Sequence, residues 1–345
     1  MKNLIRMILF ISLVWAEESV ISLDYSTLQY GGDDYHLLSI NGNWKNRLSF
    51  LDGDLDLRSS IRFHQNVCTS KDKNSSSIID DNRAIIDSLS LDYYVTNHIL
   101  LSLGRQAMSL NLLNGSFDGI LFAGEYDSLN VKFFYFRHYT ALQPTYYENY
   151  ILKNLYGTNI TYTNNGIDSE ITAFSNGDNS VTSIYLSYSK YSIMLGAEHL
   201  RFYSSSSLFD DEASYKLFLA YKHKAFLIKS GIYDVYQGSL KHVYGLGSSE
   251  FKAFPLSSFL NQKNAKNIYV DLEYNYSHYY SKIHVGKTRF DKKNKSYVGK
   301  ELGVTLGVRY ENYDLSSAFL TQKSDALVYS TKRTTWLQIN LKYRF

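Results

Sequence analysis

Thr335-Trp336-Leu337-Gln338-Ile339-Asn340-Leu341-Lys342-Tyr343-Arg344-Phe345 closes the chain. Leu337, Ile339, Leu341, Tyr343 and Phe345 alternate with Gln338, Asn340, Lys342 and Arg344. One face is apolar and the other polar at period two, which is the pattern of a β-strand with two different surroundings. The alternation is too regular for a frayed tail. A soluble sandwich can end on such a strand, so the remainder of the chain decides its setting.

The other end narrows the choice. Lys2 and Arg6 precede an apolar run from Met7 to Trp15 that only Ser12 interrupts, and Ala16 is followed by Glu17 and Glu18. This is the layout of a secretory signal peptide, and it is shorter than the roughly 20 residues that a spanning helix needs. Cleavage is expected after Ala16, leaving a mature chain of residues 17–345. No other stretch is long and apolar enough to span as a helix. Hydrophobic residues are nevertheless 44% of the chain, aromatics 16%, tyrosines number 32 and prolines 2. Aromatic residues suit strands, above all strands whose ends meet a lipid–water boundary. Pro144 and Pro255 both fall in expected loops, as a hydrogen-bonded ladder requires.

Charge excludes one large class of function. Without Lys2 and Arg6 the chain carries 34 Lys+Arg against 33 Asp+Glu, so a nucleic-acid partner has no basic excess to meet. The single cysteine, Cys68, has no partner for an internal disulfide and is expected in a loop. An exported chain of this size must then be stabilised otherwise, and a closed barrel is one way.

The decisive pattern is the rhythm of the connections. Eighteen alternating segments are expected near 19–30, 35–44, 48–63, 84–95, 98–106, 118–126, 129–138, 154–163, 167–175, 181–188, 191–202, 213–222, 225–234, 267–276, 279–289, 300–310, 313–320 and 333–345. Tight turns are expected at Lys45-Asn46-Arg47, Thr96-Asn97, Asp127-Ser128, Asn164-Asn165-Gly166, Ser189-Lys190, His223-Lys224, Ser277-His278 and Glu311-Asn312. Between them lie longer loops at 64–83, 107–117, 139–153, 203–212, 235–266, 290–299 and 321–332, with two short exceptions near 31–34 and 176–178. Short turns at one rim and long loops at the other describe a transmembrane antiparallel β-barrel. An even count brings both ends to the same rim; eighteen strands fit, and sixteen fit if one segment is split wrongly.

The two faces point to lipid outside and water inside. Leu302, Val304, Leu306, Val308 and Tyr310 oppose Glu301, Gly303, Thr305, Gly307 and Arg309. Leu55, Leu57, Ile61 and Phe63 oppose Asp54, Asp56, Arg58 and Arg62. A charge in mid-bilayer costs roughly 2–4 kcal/mol, and the apolar faces carry none. A ring of 16–18 strands is wide enough for an aqueous lumen.

Leu103-Gly104-Arg105-Gln106, an eleven-residue connection and then Asp118-Gly119-Ile120 resemble the "GRQ … DG" hairpin of the OprD-like and Opr porin families of proteobacteria. The signal peptide, the strand count and the Tyr343-Arg344-Phe345 end extend the resemblance over the chain. It implies an eighteen-stranded channel in the bacterial outer membrane that passes ions and small hydrophilic solutes, with no cofactor and no reaction chemistry. It also implies that Tyr343 and Phe345 form the signal read by the barrel-insertion machinery. The third and seventh outer loops of that family fold inward, which here are 107–117 and 235–266. Outer-membrane lipid is the surrounding partner, and the oligomeric state stays open between a monomer and a homotrimer.

Parity nominates the pore-lining charges: Asp54, Asp56, Arg58, Arg62, Lys132, Lys216, Asp271, Glu273, Lys282, Glu301 and Arg309. Asp92, Asp168, Glu170, Asp314, Lys342 and Arg344 join them on the same grounds. Arg105 joins them if a bulge after Gly104 turns it inward. The functional expectation is a transverse field, basic on one wall and acidic on the other; the simpler one is pairing between neighbouring strands. Trp44, Trp336, Tyr126, Tyr162, Tyr276, Tyr310 and Tyr343 fit an interface girdle. Tyr94, Tyr269 and Tyr280 face inward, and a stacking slide for sugars would need them in a row.

Two rival readings are an adhesin or structural barrel and, more remotely, a hydrolase. His199 with serines 204–207 is the only arrangement that suggests a rim nucleophile, and no spacing signals one. No metal-ligand spacing, EF-hand or phosphate loop is present.

Overall fold

A computed structural model describes residues 18–30, 33–50, 53–69, 83–109, 114–141, 149–150, 154–205, 211–238, 259, 262–293, 295–328 and 331–344. The expected signal peptide, Phe345, Pro144 and Pro255 lie outside these residues. The strands are β1 (18–30), β2 (33–50), β3 (53–69), β4 (83–96), β5 (99–109), β6 (114–126), β7 (129–141), β8 (149–150), β9 (155–164) and β10 (167–175). They continue as β11 (179–190), β12 (193–204), β13 (212–223), β14 (226–237), β15 (263–276), β16 (279–292), β17 (295–309), β18 (313–328) and β19 (331–344).

Each strand pairs antiparallel with the next, and the sheet closes on itself. β19 returns to β1 in unbroken register from Val20 opposite Arg344 to Tyr30 opposite Thr334. The two-residue β8 pairs only with β7, and β7 continues directly onto β9. Eighteen strands therefore form the ring, one for each expected segment. A closed ring satisfies the backbone amides and carbonyls without water, which is what a hydrocarbon surrounding demands.

Five of the turns at one rim are two residues long and start in the left-handed region. Asp127, Asn165, Tyr191, Lys224 and Ser277 have φ between 48° and 56°. The chain reverses there on the spot, as two-residue hairpin turns do. Several expectations are corrected, among them Ser189-Lys190, which lies inside β11 while the turn falls at Tyr191-Ser192. Lys45-Asn46-Arg47 is not a turn: it lies inside β2, and the reversal falls between Phe50 and Gly53. Three polar residues in succession imitate a turn, but Lys45 and Arg47 alternate onto the inner face. The segments 107–117, 290–299 and 321–332 are mostly ladder, because β5–β6, β16–β17 and β18–β19 run on to Ser109, Lys292 and Val328. Cys68 sits in β3 opposite His36, not in a loop.

The faces are sorted as a barrel in lipid requires. Outward residues are apolar and accessible: Leu306 is 55% exposed, Val285 52%, Leu195 55% and Ile268 65%. Inward positions are polar and hidden, with Glu301 4% exposed, His284 2% and Asp92 3%. Tyr126, Tyr162, Tyr276, Tyr310 and Tyr343 are exposed at the turn rim, where a girdle belongs. Trp336 pairs with Leu28 and Leu320 in the ladder, and its side chain lies outside the described set.

Leu306→Arg is expected to lose folded barrel, since it places a cation in hydrocarbon at a cost of about 2–4 kcal/mol. Thr305→Arg, one residue away on the inner face, is expected to fold. Heat-modifiable mobility on a gel reads both, and equal loss would reverse the assignment of the faces.

Candidate functional site: the lumen

The inner face carries cross-strand networks, each produced by register. On β2–β5, Lys45 stands opposite Arg58 and Asp56 opposite both Arg47 and Asp92. Like charges directly across a ladder repel. One direct and two diagonal ion pairs offset this: Arg47 Nε lies 3.2 Å from its register partner Asp56, and diagonally Lys45 Nζ lies 3.3 Å from Asp56 and Arg58 Nε 2.8 Å from Asp92. Asp56 is fully buried, so two cations neutralise one carboxylate that water does not reach. Arg58 also donates to the Tyr94 hydroxyl at 3.1 Å, and the Ser102 hydroxyl donates to Asp92.

A second network spans β15–β18. Asp271 and His284 are direct cross-strand partners, with His284 Nδ1 2.6 Å from the carboxylate. His284 Nε2 faces Glu301 at 3.6 Å. Glu301 accepts from Asn267 at 3.0 Å and from Gln322 at 3.2 Å, and Asn267 also donates to Thr288 at 2.8 Å. Gly286 makes room for this carboxylate, since a Cβ there would stand 2.3 Å from Glu301 Oε1. Lys282 binds Glu273 at 3.0 Å and approaches Asp271 at 3.8 Å.

Smaller groups complete the wall. Asn159 donates to Glu170 at 2.7 Å and to Thr172 at 2.8 Å. Lys216, 3% exposed, lies 3.8 Å from Glu198 and over the Phe218 ring, which Lys229 also covers at 4.2 Å. At the turn rim Arg309 Nε meets its register partner Asp314 at 2.8 Å, and Tyr280 donates to the same carboxylate at 2.8 Å. Among the described residues, no three acidic, histidine or cysteine side chains converge on a metal position.

Toward the loop rim the inner face changes character. Phe117, Phe134, Phe136, Leu155, Phe174 and Phe202 are buried there. Phe134 stacks on Phe136 with centroids 5.1 Å apart, and Phe117 lies 4.8 Å from Phe136. Across the ring, Phe259 of the β14–β15 connection is 2% exposed and stacks on Phe290 at 5.6 Å. Its seat is Gly299, where a Cβ would stand 2.7 Å from the Phe259 ring. The expectation that 235–266 folds inward has this anchor; residues 239–258 lie outside the described set. Its counterpart at 107–117 shrinks to the four residues 110–113, because Ser109 pairs with Asn114.

The expected charges are thus local pairs, not two opposed walls. Asp56, Arg58, Lys216, Asp271, Glu273, Lys282 and Arg309 each meet an oppositely charged neighbour within one or two strands, and Glu301 faces the imidazole of His284. Two further expectations are corrected by the geometry. No register shift follows Gly104; Arg105 stays opposite Asp118 and binds both its oxygens at 3.1 and 3.0 Å, with His138 3.6 Å away. Arg105 is the brace of a hairpin. Tyr94 on β4 and Tyr269 and Tyr280 on β15 and β16 occupy separated sectors and form no row. Asp54 and Arg62 pair at Tyr94 and Asn41 in the ladder, and their side chains lie outside the described set. Lys132, half-buried between Ala123 and Asn159, keeps its expected face and has no ion-pair partner among the described residues. Parity could not find Phe259, because the long β14–β15 connection also carries Tyr244, Phe251 and Phe254 and nothing in the sequence singles it out from them.

Comparison with solved structures follows from this geometry. Pseudomonas aeruginosa OccK9 (OpdG) superposes with a TM-score of 0.76 at 11% identity, over 95% of this chain and 98% of that one. Acinetobacter baumannii OccAB1 gives 0.76 at 9% identity, over 95% of both chains. OccD1 (OprD) gives 0.71 at 8% identity, over 96% of both. The fold is that of the OprD-like porins. No protein-family model matches the chain, and no curated protein matches it in sequence. The OprD-like architecture has therefore been kept here by register and face alternation with almost none of the same residues.

Phe259→Ala is expected to raise single-channel conductance while the barrel still folds; an unchanged conductance would remove Phe259 from the constriction. Asp56→Asn strips the counter-charge from Lys45 and Arg47. Its reversal potential in a salt gradient should move toward anion preference, and its urea midpoint should fall by the equivalent of about 1–3 kcal/mol.

Proposed function

We propose that this barrel is an outer-membrane porin, a water-filled channel for passive diffusion of ions and small hydrophilic solutes. The observation that carries the reading is the inversion of polarity around a closed ring of eighteen strands. Apolar side chains are exposed outside, and ion pairs and amides line the inside. Eighteen strands enclose more space than wall side chains can fill. The aromatic collar and the Phe259 anchor narrow that space near the loop rim, so size is sorted there. Charge acts through the unpaired part of the lumen, Lys132 above all, because a paired lysine presents mostly a dipole to a passing ion.

The remaining assignments belong to the same proposal. The N-terminal 16 residues direct export, the Tyr343–Phe345 end is read during insertion, and the turn rim faces the periplasm. A hydrolase finds no support at His199. Its Nε2 bonds to the Tyr236 hydroxyl at 2.8 Å, and its cross-strand neighbours are Ile184 and Tyr215, not serine.

Planar-bilayer recording of the refolded mature protein tests the function. Stable conductance steps are expected, and silence from a folded barrel would overturn it in favour of an adhesive surface. Lys132→Glu should shift the reversal potential toward cation preference without changing the urea midpoint, whereas no shift would move selectivity to another position.

A further inference from the structure

The outward face of β15–β19 ends in a band of basic residues. Lys287 stands opposite Lys300, Lys300 opposite Lys323, and Lys323 opposite Arg333. Lys266 stands opposite Arg289 beside them. All six are exposed and alternate in phase with the lipid-facing residues Ile268, Val285 and Leu302. Four cations in consecutive register oppose one another directly, which a sheet avoids unless something of opposite charge covers them.

Lys266, Arg289 and Arg333 make contacts within the protein. Lys266 binds Asp234 at 3.1 Å, and Arg289 donates to the Ser296 hydroxyl at 2.9 Å. Among the described residues, Asp291 and Asp325 lie on the same strands nearer the loops, and Asp291 accepts from Asn264 at 2.8 Å. Among the described residues Lys287, Lys300 and Lys323 have no ion-pair partner.

The height of the band identifies what covers it. Ten residues separate Lys266 from Tyr276, Lys300 from Tyr310, Lys323 from Tyr313 and Arg333 from Tyr343. At about 3.3 Å per residue and a tilt near 40°, ten residues rise about 25 Å, the thickness of the apolar band of such barrels. The tyrosines mark its turn-side edge, and the cations stand at its loop-side edge. The outward positions between them are uncharged on all four strands.

We infer that this band binds the phosphate groups of an anionic phosphoglycolipid in the outer leaflet, whose acyl chains lie along the apolar face of β15–β19. The inference rests on the orientation given above, with the loop rim outside. Lysines and arginines at a lipid boundary hold phosphate through charge and direct donation. Half of the ligand's binding surface is then the apolar face already present for other reasons.

Purified barrel in neutral detergent, titrated with bisphosphorylated lipid A and with its dephosphorylated form and read by native mass spectrometry, tests it. Wild type should retain the phosphorylated lipid and release the dephosphorylated one. The K287Q/K300Q/K323Q variant should bind the phosphorylated lipid on the order of a hundredfold more weakly. Equal retention of both lipids by wild type, or equal binding by wild type and variant, would overturn the inference. Competition by inorganic phosphate at the lipid's own concentration would also overturn it, since a free ion would then suffice. Conductance of the same variant separates the two proposals, because the band lies outside the lumen and its loss should leave single-channel current unchanged.

Discussion

Successive side chains of an extended strand project to opposite sides of the sheet. Once such a sheet closes, the two sides become two solvents, hydrocarbon outside and water within. This constraint fixes the composition of every strand here. Leu302 and Leu306 can be exposed because their surroundings are lipid, and Glu301 can be buried because Asn267 and Gln322 satisfy it. The hydrophobic effect that would normally fill an interior instead holds the barrel in its membrane, and the interior is organised by hydrogen bonds and ion pairs.

Because those interactions run across ladders, register determines lumen chemistry. Asp271 meets His284, and Arg309 meets Asp314, as direct partners. A slip by one residue would send each of these to lipid and bring leucines into water. The inner networks and the outer apolar face therefore select the same register twice over. That redundancy explains how one architecture persists at 8–12% identity to its solved counterparts.

Legibility in the sequence followed from this same alternation. Each expected segment falls on its own ring strand except 48–63, which starts in β2 and crosses the reversal into β3, since lipid imposes a strict apolar period on the outer face. Boundaries failed where the lipid ends. β16, β17 and β18 continue as ladder past Arg289, Lys300 and Lys323, but the next outward residues are Asp291, Val298 and Asp325, and the apolar period disappears. At Lys45–Arg47 the error was the converse, inner-face cations mistaken for a turn. Pairing in the lumen was not readable, because parity gives a face but neither a height nor a partner. Phe259 was hidden for a deeper reason: its role is created by the absence of a side chain at Gly299, some forty residues away.

The ladder between β1 and β19 joins residue 20 to residue 344. No shorter piece of the chain can make it, and until it forms the sheet has two open edges with unpaired amides. Such edges recruit any strand they meet. Completion of the molecule therefore waits for its last strand, and a growing or crossing chain must be held apart from its neighbours until then. Synthesis order and assembly order are uncoupled by this single seam. The barrel is all-or-none in time as well as in space.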